Sequence, residues 1–324
     1  MKKRVLVTYN MFRSGYSELV EKYDVTFPPE GRESFTYDEV LSVIDGYDAL
    51  QPMFNFPVDA RLIEAGKQLK IISNYAVGFD NIDVDCATRL GIQVTNTPTP
   101  VTEPTADQAM GLLLAVSRRI SEMDRRLRIP DSVHVGLLQN LGHSLFGATL
   151  GIIGMGRIGQ ALARRAVASG MKIVYNNRNR LPENIEQIYG AKYMSIDELL
   201  SASDVVSVNA PLTPDTRHII GEREFSMMKP SAILINTARG PLVDEKALAV
   251  ALREHRIWGA GLDVFENGDY PSPELLELDN VVLNPHLGTQ TVETRNEMAY
   301  FVSRNIINFF EGGDIYRVNH VDKH

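Results

Sequence analysis

The chain carries one cysteine, Cys86, in 324 residues. No intrachain disulfide can form, and nothing points to an oxidising compartment. There is no excess of positive charge: 33 Lys and Arg stand against 41 Asp and Glu, a net charge of −8, and the arginines come in short groups. That balance disfavours a nucleic-acid-binding surface, so no nucleic acid is expected as a partner. No window approaches the ~18 uninterrupted apolar residues of a membrane helix, and after MKKR the apolar stretch VLV gives way at Thr8, short of a signal-peptide core. No membrane partner is expected, and the cytoplasm is the expected address. The histidines show no HExxH spacing and there is no cysteine cluster, so no metal site is expected. Internal repeats and low-complexity segments are also absent.

What is present is 44% hydrophobic and 23% charged, ordinary for a soluble globular protein, and the length favours two domains. The run Thr149 to Gly159, TLGIIGMGRIG, carries the most information. A short apolar strand leads into Gly154, Gly156 and Gly159, and the helical pattern QALARRAVAS follows at once. In a dinucleotide-binding turn the first glycine permits the tight turn, the second lets backbone approach a pyrophosphate, and the third lets helix pack close on strand. The helix N-terminus then offers unpaired N–H groups to phosphate.

The first hundred residues alternate strand and helix: KRVLVT, SELVEKY, YDVTF, DEVLSVIDGYDALQ, DARLIEAGKQLKIISN and IQVTNTP. A second α/β series follows, with TLGIIG, KIVYNN, VVSVNAP, AILINTA, GAGLDVF and NVVLNPH as buried strands rich in Val, Ile and Leu. The apolar middle of Glu103–Ile120 predicts one long helix at the domain crossing, covered by both domains or by a partner subunit, and hence a homodimer. Thr289 to Glu311 predicts a last long amphipathic helix returning to the first domain. The expected fold class is α/β: a Rossmann-type doubly wound parallel sheet, residues 100–291, inserted into a smaller flavodoxin-like α/β substrate domain, residues 1–99 plus 292–324.

Three polar residues fall where strands should open at one sheet edge: Arg239 after AILINTA, Asp263 after GAGL and His286 after NVVLNP. Ligands of such sheets bind at that edge. An arginine fork can hold a carboxylate, and an imidazole with an ordinary pKa near ~6.5 can exchange a proton with a carbonyl or alcohol oxygen. Together with a nucleotide turn these groups fit hydride exchange between a nicotinamide and a 2-oxo or 2-hydroxy acid.

These residues sit in longer matching stretches: VGFDNID from Val77, the GMGRIG turn, NAPLTPDT from Asn209, NTARGPLVDEKAL from Asn236, GAGLDVFE from Gly259 and NPHLGTQT from Asn284. Over nearly its whole length the chain resembles the D-isomer-specific 2-hydroxyacid dehydrogenases, among them glyoxylate and hydroxypyruvate reductases. The resemblance implies that Arg239 binds the substrate carboxylate, that His286 is the acid/base, and that backbone amides of Val77 and Gly78 also meet the carboxylate. It implies a cofactor lining of Thr105, Gly154, Met155, Gly156, Arg157, Ile158, Gly159, Ala210, Pro211, Thr216, Thr237, Ala238 and Gly288, with Asp263 at the nicotinamide end. Met53, Phe54 and Phe79 are candidates for the pocket of the substrate side chain, and equally for core.

Two departures stand out. In VYNNRNR, Asn177 takes the place where NAD-preferring relatives carry an acid, and Arg178 and Arg180 follow. Loss of the acid with gain of donors favours a 2′-phosphate, hence NADP, with NAD and a solvated basic loop as the alternative. Gly268 stands where the family has a glutamate partner for the histidine, leaving Glu266 or Asp269 as substitutes or as plain loop charges. A catalytically weak NAD(P)-binding regulatory protein is the competing reading, motivated by Gly268 alone.

Overall fold

The computed structural model describes residues 2–321. The chain divides into two compact units, Met1–Val101 with Thr289–His324 and, between them in sequence, Thr102–Gly288.

The first unit holds a five-stranded parallel sheet of β1 (Arg4–Val7), β2 (Asp24–Thr26), β3 (Ala49–Gln51), β4 (Ile71–Ser73) and β5 (Gln93–Thr95), in the order β2-β1-β3-β4-β5. That is the flavodoxin-like order. Side chains alternate across the pleat, so Leu6, Leu50, Ile72 and Val94 enter one core while Val5, Val7, Ala49 and Ile71 enter the other. The second of these cores is closed by Met298, Ala299, Val302 and Ile306 of the helix Val292–Glu311. Thr291 caps that helix by accepting from the Thr294 N–H, and Gly312 ends it at φ 83°. The open edge of β5 is covered by the chain itself: Val318 N–H donates to the Val94 carbonyl at 2.9 Å, and Asn319 Oδ1 accepts from Val94 N–H at 2.7 Å.

The second unit holds seven parallel strands: β6 (Thr149–Ile153), β7 (Lys172–Asn176), β8 (Lys192–Tyr193), β9 (Val205–Val208), β10 (Ile233–Asn236), β11 (Gly259–Leu262) and β12 (Val281–Leu283). Their order is β12-β11-β10-β9-β6-β7-β8, so the winding reverses between β6 and β9, as a Rossmann-type doubly wound sheet requires. Both faces are covered. Val206, Val208, Leu234 and Ala260 pack with Leu248 and Leu252, while Leu150, Ile152, Ile173 and Ile235 pack with Ala109, Leu112 and Leu113.

One expected element divides. In place of a single helix Glu103–Ile120 there are two, Thr102–Ser117 and Ile120–Leu127, separated at Arg119, whose φ is 55°. The cause lies far along the chain. The Ser117 carbonyl accepts from His143 N–H at 2.8 Å, and a Cβ added at Gly142 would come 2.3 Å from the Ser117 carbonyl oxygen, so a returning segment docks on the helix end. Arg119 then forks onto Glu122 at 2.8 and 2.6 Å. The first of the two helices buries Ala106, Ala109, Leu112, Leu113 and Val116 within its own unit and leaves Leu114 exposed. No helix among the described residues is long and apolar enough to cross a membrane, and they contain no group of side chains able to hold a metal.

Candidate active site

Because the seven strands are parallel, their carboxyl ends share one edge. Leu262 of β11 pairs with Asn236 of β10 and with Leu283 of β12, so Arg239, Asp263 and His286 leave three adjacent strands within three residues of that register. The ladder runs on past the strands: Asp263 N–H donates to the Asn236 carbonyl at 2.9 Å, and His286 N–H donates to the Asp263 carbonyl at 2.8 Å. Asn236 grips the arginine's backbone, its Nδ2 donating to the Arg239 carbonyl at 2.9 Å and its Oδ1 accepting from Ala238 N–H at 3.1 Å. Arg239 Nη1 donates to the Ala238 carbonyl at 2.8 Å. His286 adopts φ 55°, a left-handed conformation that costs an ordinary residue about 1–2 kcal/mol and must be held.

Asp263 supplies that hold. Its carboxylate accepts from Leu287 N–H and Gly288 N–H, both at 2.8 Å, and from Gln108 Nε2 at 3.3 Å. The residue is 1% exposed. Burial pushes its carboxyl up to about 6, against the pull of the two amides and Gln108. The Asp263 side chain thus holds the histidine loop from within the chain. Thr105 and Gly288, both expected at the cofactor, meet at this loop, with Thr105 Oγ1 3.5 Å from the Gly288 carbonyl oxygen.

Farther along the same edge lies the glycine turn. Gly154, at φ 92°, carries no room for a side chain: a Cβ there would come 2.6 Å from Ala210 N. At Gly156 an added Cβ would meet nothing within 4 Å, so the chain's own atoms do not fill that space. Arg157, Ile158 and Gly159 open the helix Arg157–Ala168, whose N-terminal N–H groups face the turn. On the neighbouring strands Thr237 Oγ1 and Asn209 Oδ1 are buried and take no hydrogen-bond partner among the described residues. Buried orphan polar atoms ask for a partner from outside the chain. The turn, the open space and the orphans together fit a bound dinucleotide. Pro211 and Thr216 belong to one tight loop, Thr216 Oγ1 donating to the Pro211 carbonyl at 2.7 Å.

The residues expected to choose between NADP and NAD separate into three situations. Asn177 Oδ1 accepts from Met155 N–H at 2.6 Å and so supports the glycine turn from β7. Arg180 lies in a bidentate pair with Glu186, at 2.9 and 2.8 Å, and holds the Glu186 carboxyl down at about 2. Arg178 is exposed and makes no hydrogen bond or ion pair among the described residues.

In the first unit, Val77 and Gly78 follow β4, with their carbonyls held by Asn96 Nδ2 and Asn74 Nδ2, each at 2.8 Å. The peptide planes are thereby fixed, and neither N–H has an internal acceptor among the described residues. Of the three apolar candidates, Met53 is buried, Phe54 half-buried and Phe79 43% exposed. Met53 lines a pocket of about 400 Å³ at the same sheet edge with Met11, Phe12, Tyr75 and Arg295.

The family model described as "D-isomer specific 2-hydroxyacid dehydrogenase, NAD binding domain" matches residues 110–288. The chain is 47% identical over 322 residues to a glyoxylate reductase of Thermococcus litoralis, covering 96% of this chain and 95% of that one. It is 46% identical over 316 residues to a glyoxylate reductase of Thermococcus onnurineus, covering 96% and 94%. The chain belongs to the D-isomer specific 2-hydroxyacid dehydrogenase family. Its fold matches an NADPH-dependent glyoxylate/hydroxypyruvate reductase of Sinorhizobium meliloti, in complex with NADP and malonate, at TM-score 0.85 and 32% identity, covering 98% of this chain and 97% of that one. A D-mandelate dehydrogenase of Rhodotorula graminis matches at TM-score 0.91 and 30% identity, covering 99% of each. The protein is an NAD(P)-dependent oxidoreductase, and a purely regulatory reading is not favoured.

Within this dehydrogenase, Gly268 has a local reason. It adopts φ 110° in a tight turn closed by a bridge to Phe265, and a side chain there would be strained although space is open. Asp269 is exposed and unpaired among the described residues. Glu266 is engaged: Oε1 lies 2.5 Å from His218 Nε2 and 3.4 Å from Arg217 Nη2, and Oε2 accepts from Glu245 N–H at 3.2 Å. Glu245, 4% exposed, accepts in return from Glu266 N–H at 2.8 Å and Ser272 N–H at 2.5 Å. Sequence reasoning passed over Gln108, His218, Asn236 and Glu245. Asn236 and Glu245 both lie inside the quoted NTARGPLVDEKAL stretch, where a polar residue at a strand end and an acid just after a capping Asp were the available signals.

Proposed function

We propose that this dehydrogenase reduces a small 2-oxo acid, glyoxylate or hydroxypyruvate, to the 2-hydroxy acid, and that it uses NADPH in preference to NADH. The observation that carries the reading is the placing of Arg239 and His286 at the ends of β10 and β12, with the loop of His286 pinned by Asp263, on the edge that also bears the glycine turn. The names of the relatives supply the substrate class. Arg239 takes the substrate carboxylate in its planar fork, and the N–H groups of Val77 and Gly78 complete that contact. His286 gives a proton to the carbonyl oxygen as it becomes an alkoxide, and takes it back in the oxidative direction. The bound nicotinamide supplies and accepts the hydride. Gly154, Met155, Gly156, Arg157, Ile158 and Gly159 hold the pyrophosphate, while Thr105, Ala210, Pro211, Thr216, Thr237, Ala238 and Gly288 line the rest of the cofactor. Asn177 removes the repulsion that an acid would exert on a 2′-phosphate, and Arg178 is the donor available to it.

The first unit carries a pocket of about 400 Å³ beside Met53, and longer 2-oxo acids in the assay test whether it takes the substrate side chain. NADPH oxidation with glyoxylate, hydroxypyruvate and a branched and an aromatic 2-oxo acid tests the reading directly. Turnover of any of them is expected, and turnover of none overturns it. Equal kcat/KM for NADPH and NADH overturns the cofactor preference.

The assembly is a homodimer in this reading. Ile120, Leu127, Ile129, Val135, Leu137, Leu138, Leu141 and Phe146 are all exposed within one stretch, Val135 at 87% and Leu137 at 94%. So dense a run of exposed apolar side chains calls for a cover, and a second copy provides one. Sedimentation should give twice the 36.1 kDa chain mass, and a species at the chain mass alone overturns this. The cytoplasm suits a protein whose single cysteine, Cys86, is buried and has no second cysteine in the chain to pair with.

A further inference from the structure

We propose that Glu266 and His218 form a positioning pair that holds Arg239 in its substrate-binding conformation, an inference resting on the role given to Arg239 above. The two residues following Arg239 are gripped from both sides. On one side the Phe265–Glu266 peptide lies directly on Gly240: a Cβ at 240 would come 1.8 Å from the Phe265 carbonyl oxygen and 2.5 Å from Glu266 N. Only glycine permits that approach. On the other side His218 N–H donates to the Pro241 carbonyl at 2.8 Å. The arginine therefore stands at the entrance of a short turn, Gly240–Leu242, held between two loops from different strand ends.

The Glu266 carboxylate joins those two loops. Its Oε1 meets His218 Nε2 at 2.5 Å, and the carboxylate group is only 13% exposed against 38% for the imidazole. A short hydrogen bond to a carboxylate is among the stronger side-chain contacts, and here the carboxylate is the sheltered partner while the imidazole stays open to water. His218 needs such a tether, since its backbone adopts φ 51°, and the same backbone N–H makes the bond to Pro241. The charged groups around the pair are Arg217, 3.4 Å from Glu266, and Glu245, whose backbone N–H donates to Glu266 and whose carboxylate accepts from Glu266 N–H. Releasing the carboxylate loosens the loop of His218, then the turn, then the arginine at its head. Glu266 thereby acts through Arg239 and not as the proton-transfer partner of His286.

The test uses the full-length protein and the variants Glu266→Ala, Glu266→Gln, His218→Ala and the double alanine variant. Loss of positioning at the carboxylate fork should raise KM for glyoxylate about tenfold or more in Glu266→Ala, with kcat and the NADPH dissociation constant changed by much smaller factors. Glu266→Gln keeps an acceptor for the imidazole N–H and should restore most of the loss. His218→Ala should match Glu266→Ala, and the double variant should be no worse than either single one. Amide hydrogen exchange across residues 238–242 should quicken in both alanine variants, with exchange in the β6–β7 region unchanged. A fall in kcat at constant KM, with a displaced pH profile, would assign Glu266 to proton transfer and overturn the pair. Additive effects, or unchanged exchange at 238–242, would overturn it equally. Failure of the parent reading is seen separately, as no 2-oxo acid turnover by the unmodified protein.

Discussion

The two halves of the seven-stranded sheet present their carboxyl ends to ligand in different ways. Around β6 and β7 the edge is built from backbone: glycines make the turn, a neutral amide from Asn177 holds Met155, and the ion pair of Arg180 with Glu186 ties that loop to the following helix. Around β10, β11 and β12 the edge is built from charge: Arg239 and His286 stand on loops pinned by the buried or half-buried carboxylates of Asp263, Glu245 and Glu266. A dinucleotide has the same shape throughout the reaction, so a rigid backbone cradle suffices for it. The reacting carbonyl changes charge, so the groups around it must be ionisable, and ionisable groups in a desolvated setting need partners. Substitutions and pH should therefore act on chemistry through the second half and on cofactor choice through the first.

The largest break should come at His286. Replacing it by alanine removes the proton donor and should lower kcat by about 10²–10⁴-fold, with little change in cofactor affinity. Steady-state kinetics across pH, with cofactor titration by fluorescence, measures both. Parental turnover at every pH would end the assignment. Arg239→Ala should come next, costing about 2–5 kcal/mol in kcat/KM for the oxo acid and sparing NADPH binding. A loss confined to NADPH affinity would place the arginine in the cofactor half.

Asp263 sharpens the contrast, because stability and activity should respond to it in opposite directions. Its native carboxyl titrates at about 6 against an ordinary 3.8, so the folded state binds a proton that the unfolded chain does not. The stabilisation this brings is complete below about pH 4 and is lost as pH rises through about 6. At roughly 1.4 kcal/mol per unit, a shift of about two units amounts to about 3 kcal/mol. Activity should run the other way, since a protonated carboxyl accepts more weakly from Leu287 and Gly288 than a carboxylate does, and the loop of His286 is held less firmly. Melting temperature of the parent relative to Asp263→Asn should rise as pH falls from 7 to 4, while the parent's kcat declines over the same span. A pH-independent difference in melting temperature would show that Asp263 does not titrate there.

The halves also differed in how far they could be read from sequence. The glycine turn is contiguous, so TLGIIGMGRIG named its own geometry, and the parallel α/β order followed from short Val-, Ile- and Leu-rich runs alternating with helices. Arg239, Asp263 and His286 were legible as residues at strand ends. What holds them was not, because Gln108, His218 and Glu245 lie 155, 48 and 21 residues from the groups they engage, and no local period joins such pairs. The division of the helix after Ser117 was hidden for the same reason, since its cause, the docking of Gly142 and His143, is a long-range contact. Asp263 was legible as an acid at a strand end, while the two amides it faces were not, because they belong to a loop 24 and 25 residues away.

The smallest and most discriminating effects should come from the pair of arginines after β7. Sequence alone treats Arg178 and Arg180 as equivalent donors to a 2′-phosphate. The structure makes them unequal: Arg180 spends its fork on Glu186, while Arg178 is exposed and unpaired among the described residues. A hydrogen bond to a charged group contributes about 1.5–3 kcal/mol, so Arg178→Ala should weaken NADPH about tenfold or more and leave NADH nearly unchanged. Arg180→Ala removes the exposed partner of the largely buried Glu186 carboxylate, a scaffold contact, and should shift both cofactors alike. Measuring kcat/KM for both cofactors in both variants separates a phosphate contact from a scaffold contact. If Arg180→Ala proved the more selective change, Glu186 would have to release its partner when cofactor binds. If neither variant altered the NADPH to NADH ratio, the loop after β7 would be a solvated surface, and cofactor choice would have to arise from Asn177 alone.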